Sequence, residues 1–264
     1  MKLVVLMMLA ACGDKPTTGP VLVRNTAVSV TQALPTDAEM GELAIVPSKT
    51  RDNESWLPQG PGPLLVEAVL REGNGPAPSW LATDRAGTSS KLTYGTTAHV
   101  PYGCDGNTMA VTMLEGDGSK LSPGLLWLRP IAQAAWMPKP VAIVGAKLTP
   151  TRRDLTIGAV SLEIVRTEAR RGVVNVLRDQ RMIHQMTFER SDMEGADNDT
   201  PIDLVDGGPG VPTPEMAWSF GAELLAIVFK VPGYEGLAFK TIVVNAERGR
   251  TVAAMALYLY QCAF

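Results

Sequence analysis

Glycine and proline cut this chain into pieces too short for long helices. There are 25 glycines and 20 prolines among 264 residues. Glycine supplies the positive φ that turns need. Proline lacks the amide hydrogen that a helix interior or a central strand requires. Between them lie short runs rich in valine, isoleucine, leucine and threonine. Such runs at regular spacing predict a mostly β fold, built as an antiparallel β-sandwich or barrel-like domain over residues 21–264. The domain is either continuous or divided into two β sub-domains near residue 150. No alternation of strands with helical patterns is present, which argues against Rossmann and TIM-barrel folds.

The runs can be placed along the chain. Residues 21–30 (VLVRNTAVSV) and 42–46 (ELAIV) read as strands, and 64–70 (LLVEAVL) as a buried strand or a short helix. Residues 91–100 and 108–114 flank a turn with a hairpin-type Asp105-Gly106. With Leu125–Leu128 they predict an antiparallel meander over 91–131. Runs at 141–148, 155–166, 173–178 and 182–190 follow, joined by polar pieces and a turn-like Arg171-Gly172. A helix over 162–186 is the rival, opposed by Gly172 and the β-branched residues. Three further strands are predicted at 223–230, 237–244 and 251–262. Residues 191–214 are acidic, rich in glycine and proline, and read as a long loop.

Residues 3–11 (LVVLMMLAA) are wholly apolar and follow Lys2. The run is shorter than the about 20 residues a membrane-spanning helix needs, but has the length of a signal-peptide core. By composition alone it is that, or a buried first strand. The tetrad Leu9-Ala10-Ala11-Cys12 resembles the lipobox of bacterial lipoproteins. That resemblance implies cleavage before Cys12, lipidation of its thiol and acylation of the new amino terminus. Residues 1–11 would be the signal peptide, and 12–20 a flexible tether of polar, Pro- and Gly-broken sequence. The chain would be bound to the membrane through its N-terminal lipid, since two or more acyl chains anchor stably. Gly13 rather than Asp follows Cys12, which under the family's sorting rule points to the outer membrane over the inner.

Charge and cysteines narrow the partners. Net charge is −3, and charged residues make up 19% of the chain, below the usual quarter. With no basic excess and no Lys/Arg stripe interleaved with aromatics, nucleic acid is not an expected partner. An envelope protein or a glycan is. If Cys12 is lipidated, Cys104 and Cys262 remain, and in an oxidising compartment they are expected to pair as a disulfide. Two free buried thiols are the alternative.

Metalloprotease, P-loop, dinucleotide and EF-hand patterns are absent, as are Gly-x-Ser-x-Gly and Cys-x-x-Cys. Two histidines occur, His99 beside the 101–107 turn and His184 in a strand. Either could serve an envelope hydrolase, although a lone histidine on a strand is more often structural. The acidic loop offers Asp192, Glu194, Asp197 and Asp199, with Asp203 and Asp206 beyond. Carboxylates in a Gly-rich loop suit calcium, so a calcium-stabilised binding module is one reading and a solvated surface loop the other. The same acids could in principle supply a glycosidase pair, but nothing selects one. No other cofactor is expected. Of the five tryptophans, Trp127 is expected in a core, and Trp56 and Trp80 on the surface. The expected role is therefore a non-enzymatic binding, assembly or accessory module of the envelope, with the hydrolase and the calcium module as alternatives.

Overall fold

A computed structural model describes residues 34, 42–46, 79–102, 107–131, 137–190, 200–220, 223–233 and 236–258. Among them the chain forms fifteen strands and no α-helix. The expected mostly β, antiparallel architecture holds, and residues 162–186 form strands and turns.

The strands make three five-stranded sheets. The first holds β1 (Glu42–Val46), β2 (Ser79–Thr83), β3 (Ser89–Tyr102), β4 (Asn107–Gly116) and β5 (Gly124–Pro130), in the order β1-β5-β2-β3-β4. The third contains β6 (Lys139–Pro140), β12 (Thr213–Phe220), β13 (Leu224–Pro232), β14 (Gly236–Val244) and β15 (Gly249–Tyr258), in the order β15-β14-β13-β12-β6. The second lies between them in sequence: β7 (Ile143–Thr149), β8 (Arg152–Ile157), β9 (Val160–Arg166), β10 (Arg171–Arg178) and β11 (Arg181–Glu189), a simple meander. The predicted strand at 21–30 and the 64–70 segment lie outside the described residues.

Side-chain alternation shows how the sheets stack. On a strand, successive side chains point to opposite faces. In β13, Leu225, Ile227 and Phe229 join the core shared with the second sheet. Leu224, Ala226 and Val228 join the core shared with the first. The third sheet is thus the middle layer, covered on both faces. This is why Leu224–Phe229 is an unbroken buried run rather than an alternating one. β5 repeats the pattern. Leu125 and Trp127 face the middle sheet, while Leu126 and Leu128 face a separate cluster with Trp80, Ala82, Leu92 and Leu114.

Four expectations are corrected. β5 does not continue a meander from β4; it inserts between β1 and β2. The run 155–166 is two strands, because Gly158 (φ +58°) and Ala159 make a two-residue hairpin turn. Arg171-Gly172 is not a turn but opens β10. There Gly172 sits under the Phe188 ring, whose Cζ would lie 2.3 Å from any added Cβ. Trp80 is not on the surface: it is 5% exposed, held in β2 against the first sheet's inner cluster. Trp127 is buried as expected, its ring 4.8 Å from Trp218 and 4.9 Å from Phe220. Trp56 lies outside the described residues.

Candidate functional site

The acidic region divides at Thr200. Residues 191–199, with Asp192, Glu194, Asp197 and Asp199, lie outside the described residues. Residues 200–212 are described, and they are not a solvated loop. Ile202, Leu204 and Val211 are buried in the core between the second and third sheets. The backbone is bonded at both ends: Ile202 N–H to Ala169 O (2.7 Å), Leu204 N–H to Pro150 O (3.0 Å) and Gly210 N–H to Pro232 O (2.6 Å). Gly210 holds φ +84°, and a Cβ there would stand 2.1 Å from the Glu189 carbonyl oxygen, so the chain passes this point only as glycine. The segment closes one end of the sandwich.

Arginines fasten that closure. Arg190 Nη1 donates to Thr200 O at 3.1 Å, Arg166 Nη1 to Ile202 O at 2.7 Å, and Arg170 Nη2 to Arg190 O at 3.3 Å. The chain therefore leaves at Arg190 and returns at Thr200 through a neck with guanidinium groups on it. Asp203 is already occupied: its Oδ1 accepts from Val205 N–H (2.8 Å) and Asp206 N–H (3.4 Å), an Asx turn. Asp206 is exposed. Among the described residues no three His, Cys, Asp or Glu side chains are grouped to hold a metal ion.

The two histidines are placed apart in the topology. His99 pairs with Ala110 across the β3–β4 hairpin of the first sheet. His184 lies on β11, the edge of the second sheet, opposite Val176. A β-bulge at this point puts Ile183 out of register, so that both Ile183 and His184 turn towards the middle layer. There His184 meets Gly249 of β15: a Cβ on that glycine would be 2.7 Å from His184 Cβ. Burial lowers the imidazole's pKa below 6.5, and a hydrogen bond to the Gly249 backbone partly offsets it.

Sequence reasoning missed two buried charges. Asp84, 1% exposed, accepts from Ala86 N–H and Thr88 N–H on Oδ1 and from Ser122 N–H on Oδ2, at 2.8–3.0 Å. It ties the β2–β3 turn to the β4–β5 loop, a structural task in which its oxygens are engaged by backbone. Arg129 on β5 is also 1% exposed, and burial brings its pKa down to about 10. Its parity with Leu125 and Trp127 on β5 could have placed it on a covered face, but only once both faces of β5 were known to be covered.

On the outer face of the second sheet, one residue from each strand aligns in register: Lys147, Asp154, Glu163, Asn175 and Gln185. Arg152 bridges the two carboxylates at 2.8 Å each, and Gln185 Nε2 donates to Asn175 Oδ1 at 2.8 Å. The row is a polar network bonded within itself. Cys12, Cys104 and Cys262 lie outside the described residues. No family model, no curated protein and no solved structure matches this chain.

Proposed function

We propose that this chain is a lipid-anchored protein of the bacterial cell envelope, held by Cys12, and that it acts as a non-enzymatic binding, assembly or accessory module. The observation that carries the reading is Leu9-Ala10-Ala11-Cys12 at the end of its apolar run. Residues 12–20 serve as the tether and the stacked sheets as the body. The inter-strand turns are then offered to an envelope protein or glycan. Tethering contributes by raising local concentration at the membrane surface. A Cys104–Cys262 disulfide belongs to the same proposal, because it requires the oxidising compartment.

The test is intact mass and membrane partition after expression in a Gram-negative host, beside Cys12→Ala. Wild type is expected in the membrane fraction, with a mass that starts at Cys12 and includes acyl chains, gaining two hydrogens on reduction. Cys12→Ala is expected to lose the acyl mass and leave the membrane. Wild-type protein that is soluble, unacylated and carries free thiols overturns the reading.

A further inference from the structure

The edges of the second and middle sheets meet where β11 faces β15. The two strands belong to different sheets and share no hydrogen-bonded ladder among the described residues. Side chains hold this seam instead. Arg181 Nη2 donates to Ala246 O at 2.8 Å. His184 packs on Gly249, a position with no side chain, where a Cβ would also lie 2.6 Å from Val244 Cγ1. Strand alternation with Met186 and Phe188, which join the core between the sheets, aims the imidazole into the seam, and the bulge adds Ile183 to the same side.

We propose that the β11–β15 seam is an acid-sensitive latch, with His184 as its titrating group. Closed, it holds a neutral imidazole against Gly249; protonated, it opens locally while the rest of the stack stays folded. The charged residues on the surrounding elements are Arg171 and Arg178 on β10, Asp179 in the β10–β11 turn, Arg181 and Glu189 on β11, Lys240 on β14, and Glu247, Arg248 and Arg250 around β15. They are of both signs, and what resists a further positive charge at His184 is burial. Arg178 is engaged with Glu223 O and Arg181 with Ala246 O.

The direction follows from linkage. The closed-state pKa lies below 6.5, the value of a solvated imidazole. The open state therefore binds more protons, and the latch weakens as pH falls below about 6.5. At pH 5.5 the opening equilibrium can rise by up to about tenfold over pH 7.5, the limit for a group that titrates normally when open and not at all when closed.

The experiment is amide hydrogen exchange of the full chain at pH 7.5 and 5.5, corrected for intrinsic rates, on wild type, His184→Gln and His99→Gln. Because the chain has only two histidines, the second variant isolates the effect. Opening of β11 and β15 should increase several-fold in wild type and His99→Gln, β13 should not change, and His184→Gln should be flat. An equal increase in His184→Gln, or none in wild type, overturns the proposal. An NMR titration of wild-type His184 gives an independent reading: a pKa at or above 6.5 also overturns it.

Discussion

Gln180 holds a backbone conformation that its side chain makes costly. It and Asp179 form the two-residue β10–β11 turn, with φ +64° and +50°. Positive φ at both positions is the type I′ pattern, which favours Asp-Gly. Aspartate is in place, but glutamine stands where glycine fits best. Gln180→Gly is therefore expected to stabilise the protein by about 1 kcal/mol, read as a higher urea midpoint at unchanged slope. No change would mean that the strain is offset elsewhere. Residue-level legibility in the sequence was uneven for the same kind of reason. Trp127, between two leucines, reads as core and is core. Trp80 stands beside Pro78 and Ser79 and looks exposed. It is buried because β2 lies between β3 and β5, a pairing that no local pattern encodes.

At the level of elements, the strands with the strongest β-branched runs were legible: β1 matches its expected bounds, and β10, β11, β13 and β14 match within a few residues. β12 was not. Its Thr213-Pro214 start looks like loop, because proline cannot donate to a ladder, yet the strand tolerates it beside the β-bulge at Pro214–Met216. The closing segment 200–212 is hard to read from sequence for a related reason. Its acids and glycines suggest solvent, while the few apolar residues among them do the anchoring. Ile202→Ala tests this. Ile202 is 1% exposed, so truncation should cost about 2–4 kcal/mol, against less than about 0.5 kcal/mol for a solvated loop. Thermal or urea unfolding separates the two. β7 shows the opposite problem. It is an edge strand with Val144 56% and Leu148 50% exposed. Lys147 and the bulge at Gly145–Lys147 are features that discourage strand addition at such an edge.

For the whole molecule, the sequence indicates the class but not the stacking. Periodicity predicts strands. It does not say that β13 is covered twice, since an unbroken apolar run suits any buried strand. The candidate chemistry was less legible still: His184 gains its setting from Gly249, which is distant in sequence. The doubly covered sheet has a cooperative consequence, because Trp127 of the first layer and Trp218 of the middle layer are in contact. Loss of either outer layer strips one face of the middle sheet. Tryptophan fluorescence and far-UV circular dichroism should therefore report coincident urea transitions, and separated midpoints would show that the layers unfold independently. The middle layer is also drawn almost wholly from residues 213–258, after both outer layers. Read in the order of synthesis, the two flanking sheets emerge with apolar faces that have nothing to close upon. The keystone is made after the sheets it joins, so a growing chain stays open until residues 213–258 have been added.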